Sequence, residues 1–162
     1  MVEARRNAMG YLMGFVLFVL GVPAVMWLAS ASVEFSVTRT AVFAVLAVIG
    51  LGLSIWSIVH MRNVGKGNPM DAFNHEVAPR TSELMTDGPY AICRNPMLLG
   101  ILIYYLGVVV FLWSMGSVFV FVAYVLIMSA QVFFEERRLE KDFGEAYVRY
   151  KGKTKRLIPF VW

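Results

Sequence analysis

From Met97 to Phe134 the chain runs for 38 residues without an Asp, Glu, Lys or Arg. At helical rise that is about twice the roughly 20 residues needed to cross a bilayer core. The weak break Trp113-Ser114-Met115-Gly116-Ser117 divides the run, so the pattern predicts a helical hairpin with spans at about 96–113 and 117–134. Two other uncharged runs precede it, Gly10–Ser32 and Thr40–Val59. Ala29-Ser30-Ala31 resembles a signal-peptidase site, yet the first run is long for the apolar core of a cleaved signal. It reads as a first span at about 10–31, with Pro23 as a kink, followed by a second at about 40–60. Composition agrees: 59% of residues are hydrophobic and 16% charged, against about 45–50% and about 25% in an ordinary soluble domain. The expected fold class is all-α integral membrane: four transmembrane helices with a cytoplasmic C-terminal helical segment, in a single domain over 1–162.

Charge placement orients this arrangement. With four spans, the N-terminus, the 62–94 connector and the C-terminal segment share one side and hold 14 of the 15 Lys and Arg residues; Arg39 alone lies opposite. The positive-inside rule makes that side cytoplasmic, with both termini there. The net charge of +4 is therefore read as affinity for anionic membrane lipids, and no nucleic-acid partner is expected. Cys93 is the only cysteine, which excludes an internal disulfide, and His60 and His75 have no partner at a metal spacing. No metal is expected.

Three polar groups should meet at the cytoplasmic face. The first is the connector Arg62–Ala91, too long for a simple link and punctuated by Gly65, Gly67, Pro69, Pro79 and Pro89. Its last turn, Asp87-Gly88-Pro89-Tyr90, presents Tyr90 near the next helix. The second is Arg94-Asn95-Pro96, where Pro96 suits the first turn of a helix and the unpaired N–H groups beside Arg94 suit an anion. The third is Glu135-Glu136, where the last span turns polar and continues to a stop at Gly144. An Arg with helix N–H groups suits a carboxylate; a Glu pair suits hydroxyls or an ammonium. Tyr90, Tyr147 or Tyr150 could stack on a base. A ligand with all these features is S-adenosylmethionine. The same residues also read as a solvated helix face and an arginine obeying the positive-inside rule, and these residues by themselves leave both readings open.

Gly88-Pro89-Tyr90 followed by Arg94-Asn95-Pro96-Met97-Leu98-Leu99-Gly100 resembles the first half of the signature of isoprenylcysteine carboxyl methyltransferases and related phospholipid methyltransferases. Glu135-Glu136, Leu139, Phe143-Gly144, Tyr147, Tyr150, Arg156 and Pro159 resemble its second half. Lys66-Gly67-Asn68-Pro69 is a weaker likeness to an upstream motif of bacterial members, which places the expected location in a prokaryotic inner membrane. The resemblance implies S-adenosylmethionine as cofactor and a lipid-like or hydrophobic acceptor, carboxylate or amine, that arrives from the bilayer. Tyr90, Arg94, Asn95, Pro96, Leu99, Gly100, Glu135, Glu136, Tyr147 and Arg156 are the implied cofactor-binding set. Arg94 and Glu136 are the expected catalytic pair, Arg94 orienting a carboxylate and Glu136 acting as base toward an amine. Leu98 stands where the family carries Tyr. The rival readings are an NADPH-dependent reductase of the sterol-reductase type and a non-catalytic membrane protein retaining the fold. Oligomeric state is left open by the sequence.

Overall fold

The computed structural model describes residues 12–66, 71–72, 75–76 and 82–158. The basic N-terminus, residues 67–69 of the upstream motif, the His75 side chain and Pro159 lie outside the described residues. Six helices are described: α1 (Leu12–Leu28), α2 (Val37–Asn63), α3 (Pro89–Ile92), α4 (Pro96–Leu112), α5 (Met115–Phe143) and α6 (Glu145–Lys153). A two-residue antiparallel pair, β1 (Asp71–Ala72) with β2 (His75–Glu76), lies in the connector.

Helices α2 and α5 are each long and apolar enough to cross a membrane; α1 and α4 are apolar but shorter. Their bounds follow the sequence pattern closely. The hairpin between α4 and α5 turns at Trp113, in the left-handed region at φ 47°, and Ser114 caps α5 by accepting from the Gly116 amide at 3.2 Å. Helix α5 runs nine residues past Phe134 before Gly144, at φ 53°, ends it.

Pro23 does not produce a simple kink. The seven residues before α-helical Val22–Leu28, Phe15–Gly21, form a π-helix. Pro lacks an amide proton and crowds the carbonyl four residues back, so widening the preceding turns accommodates it. Two phenols hold this wide segment to α4: Tyr105 donates to the Phe18 carbonyl at 2.7 Å and Tyr104 to the Val19 carbonyl at 3.0 Å.

The tightest packing is between α2 and α4. A Cβ on Gly100 would lie 2.4 Å from the Gly50 carbonyl oxygen and 2.3 Å from Ser54 Oγ, and one on Gly50 would lie 2.4 Å from the Gly100 oxygen. Only glycine at both positions permits this approach, as expected where apolar helices associate through small residues. Ser54 Oγ donates to the Met97 carbonyl at 3.0 Å, pinning the start of α4 to α2. The main apolar core, Met26, Tyr104, Tyr105, Val108 and Leu112, lies where α1, α4 and α5 meet.

Candidate functional site

Two sequence clusters whose contacting residues are 42 positions apart converge on one side chain. Arg94, at the start of α4, donates through Nε at 2.8 Å and through its second terminal nitrogen at 2.6 Å to Glu136 Oε1 on α5. Arg156, in the segment after α6, donates to the other oxygen, Glu136 Oε2, at 3.1 and 2.8 Å. Glu136 is buried, with its side chain 5% exposed, and so is Arg94. Glu136 lies beyond the apolar part of α5. Burial there would raise its pKa, but the hydrogen bonds and charges of Arg156 and Arg94 outweigh burial and hold it below the ordinary carboxylate range.

Arg94 also fastens the C-terminal segment. Its other terminal nitrogen donates to the carbonyls of Lys151, at 3.2 Å, and Thr154, and its backbone amide donates to the Lys155 carbonyl at 2.8 Å. The Asn95 amide nitrogen donates to the Arg156 carbonyl at 2.9 Å, so its side chain holds the tail and does not cap α4. Leu157 completes the attachment by packing on Leu98 and Val132.

Beside this clamp lies a cavity of about 130 Å³ open to solvent. Tyr90, Arg94, Asn95, Pro96, Glu135, Glu136 and Tyr147 line it, as does Tyr150. Leu99, Gly100 and Arg156 do not. Gly100 faces α2 at the glycine contact, Leu99 packs against the Leu98 cluster, and Arg156 is joined to the lining through Glu136. Sequence reasoning missed Met128, Gln131, Arg138 and the connector residues Glu83–Met85 in the lining. The first two were detectable: Met128, Gln131, Glu135 and Leu139 fall on one face at helical spacing, and Gln131 is the lone amide in an apolar run. Nothing in Glu83-Leu84-Met85 marked it.

Tyr90 is placed by α3. Gly88, at φ 55°, leads into this short helix, and a Cβ there would meet the His60 ring at 2.8 Å. His60 in turn lies 2.8 Å from Asp87 Oδ1, which ties the end of α2 to the turn. Tyr150 donates to the Tyr90 carbonyl at 2.6 Å. Burial raises the phenol pKa values of Tyr90, Tyr147 and Tyr150, so all three stay neutral at physiological pH. Glu135 pairs with Arg138 at 3.6 Å, and Arg138 lies 3.8 Å from Asp142.

Chemically, the cavity offers aromatic faces, an amide and a carboxylate over a buried charge clamp. The family model for phospholipid methyltransferases matches residues 38–146, which contain α3, α4, α5, all but the first residue of α2 and the first two residues of α6. The chain belongs to that family. Among curated proteins it is similar to protein-S-isoprenylcysteine O-methyltransferase B of Arabidopsis thaliana, 34% identical over 94 residues, covering 56% of this chain and 48% of that protein. It is likewise 34% identical over 95 residues to protein-S-isoprenylcysteine O-methyltransferase of Schizosaccharomyces pombe, covering 56% of this chain and 40% of the relative. The chain thus spans less than half the length of either relative. No solved structure matches it.

Proposed function

We propose that this family member transfers a methyl group from S-adenosylmethionine to a lipid-like acceptor at the cytoplasmic membrane face. The proposed topology has four spans, α1, α2, α4 and α5, with both termini cytoplasmic, as the distribution of Lys and Arg favours. A prokaryotic inner membrane remains part of this proposal. The observation that carries the reading is the meeting of Arg94 with Glu136 at 2.6 Å beside the aromatic cavity, within the segment that defines the family.

The donor set fits the cofactor. Tyr90, Phe143 and Tyr147 supply apolar and aromatic surface for an adenine. Glu135 supplies acceptors for hydroxyls or an ammonium, and Arg138 supplies a cation for a carboxylate. At about 130 Å³ the enclosed space is smaller than the roughly 300–1,000 Å³ of most small-molecule sites. The cofactor would therefore extend into the solvent-open side, against Glu83–Met85.

In this proposal Arg94 and Glu136 position the site rather than carry the catalysis. Four of Arg94's five N–H groups are committed, two to Glu136 and two to the Lys151 and Thr154 carbonyls. Arg94 is thus a positioning residue that fastens the tail beside the cavity. Glu136, with both oxygens accepting from guanidinium groups, is a poor proton acceptor. When bound, the cofactor supplies an electrophilic methyl group on a sulfonium. The chain's part is to hold an acceptor in line and exclude water. A carboxylate acceptor needs no base. An amine must first lose a proton, and Glu135, which lines the cavity outside the clamp, is the residue proposed to take it.

Calorimetry on the purified full chain tests the reading. Heat with S-adenosylmethionine and none with NADPH is expected. Heat with NADPH alone would favour the reductase, and folded protein that binds neither would favour the non-catalytic reading. Incubation of membrane extract with labelled methyl donor should then yield a labelled lipid-soluble product.

A further inference from the structure

A second cavity of about 430 Å³ lies within the apolar part of the molecule. Phe15 and Phe18 of the π-helical segment form one wall, Leu51 and Ile55 of α2 a second, and Ile101 and Tyr124 a third. Ser54 also faces it, but the Ser54 hydroxyl proton is spent on the Met97 carbonyl. The space is therefore suited to hydrocarbon. Its π-helical wall is fixed in place by the Tyr104 and Tyr105 bonds to the Val19 and Phe18 carbonyls.

Three residues line both this cavity and the polar one: Met97, Leu98 and Met128. They are the partition between the two spaces. Leu98 is its central element, 8% exposed and packed on Val132 and Leu157, with Met128 against it. The two methionines are unbranched and adapt their shape readily, whereas Leu98 is anchored by its neighbours. The side chain at position 98 therefore fixes the width of any passage between the cavities.

We infer that Leu98 is the acceptor-selecting residue: a single hydrocarbon chain occupies the apolar cavity, and its reactive head reaches the polar cavity past Leu98. The inference rests on the methyl-transfer reading for the identity of the polar cavity's occupant. A leucine at this position has no hydroxyl to hold the head group, so selection is by width. Slim, unbranched stems pass between Leu98 and Met128, and stems branched next to the head are rejected.

Photolabelling of the full chain in lipid nanodiscs tests this without requiring turnover. Two long-chain carboxylic acids serve as probes, one with a diazirine at the chain end and one with it beside the carboxylate. In the unmodified chain the first should label Phe15, Phe18 or Ile55, and the second Gln131 or Val132. Leu98→Trp should leave the chain-end labelling in place and reduce the head labelling by about tenfold or more, equivalent to about 1.4 kcal/mol. Leu98→Ala should let an acid branched beside its head compete as well as a straight one. Met128→Trp narrows the same passage from α5 and should repeat the first result if Leu98→Trp does not fold. Head labelling unchanged in a folded, narrowed variant would overturn the inference. So would chain-end labelling confined to outward residues such as Val48 and Ile49. Calorimetry with S-adenosylmethionine on the same samples separates the two proposals. Labelling as expected without cofactor binding removes the methyl-transfer reading, and cofactor binding with the wrong labelling removes only the role of Leu98.

Discussion

Where α2 meets α4 the backbones touch through Gly50 and Gly100, whereas α4, α5 and the tail meet through two guanidinium groups on Glu136. The first junction lies among apolar residues and is built by removing side chains. In a lipid-like environment apolar surface gains nothing by leaving water, so close van der Waals approach supplies the attraction. The second lies past the charge-free run and is built by burying charge. Each of its members is tolerable only while the others are present. The glycine seam should therefore fail by degrees, and the clamp all at once.

The largest effect is expected from breaking the clamp. Glu136→Ala leaves Arg94 and Arg156 facing each other without their carboxylate, which should cost about 3–5 kcal/mol. Denaturant unfolding in detergent micelles measures it, and a loss below about 1 kcal/mol would mean that the clamp is no more than a surface ion pair. The native Glu136 has the sign of a depressed carboxylate. Its contribution is fully present above the ordinary carboxylate range and lost as pH falls through its folded-state value. Acid should thus loosen the tail and leave the seam, whose contacts do not titrate, unchanged; hydrogen exchange at residues 151–157 against residues 50–54 would show the difference.

Gly100→Ala sharpens the same comparison at the seam. The added methyl meets backbone at 2.4 Å, so α2 and α4 must separate, at a cost of about 1–3 kcal/mol. If Gly100 instead touched the cofactor, as its place in the signature implies, the variant would weaken S-adenosylmethionine binding with little change in stability. Melting and calorimetry on one preparation distinguish these outcomes. The smallest effect should come from Ser54→Ala, which removes one interhelical hydrogen bond for about 0.6 kcal/mol, the average found for such bonds in membranes. A cost comparable to that of Glu136→Ala would show that the seam, too, depends on a polar contact.

Pairing Arg94 with Glu136 illustrates how far the residues could be read in one dimension. The hairpin placed both at one membrane level, because a run of 38 uncharged residues must fold back on itself. The two groups expected to meet around a ligand are in direct contact with each other. Charge pattern alone does not distinguish an arginine waiting for an anion from one already paired, since both sit at the same helix end. Leu99 and Gly100 continue the motif in sequence but do not line the cavity, because a helix turns about 100° per residue and carries them to the faces turned toward the Leu98 cluster and α2.

Local sequence determined the helix bounds at Trp113 and Gly144, the all-helical class, the charge asymmetry and the resemblance that proved to be membership. These depend on interactions within a few residues or on composition, and both are legible along the chain. Only the tertiary structure decided that Arg94 and Glu136 belong to a clamp that includes Arg156, that Gly100 serves packing, and that Leu98 stands between two cavities. Each of those facts joins residues 20 or more positions apart, and it is the packing of the helices that fixes which faces meet.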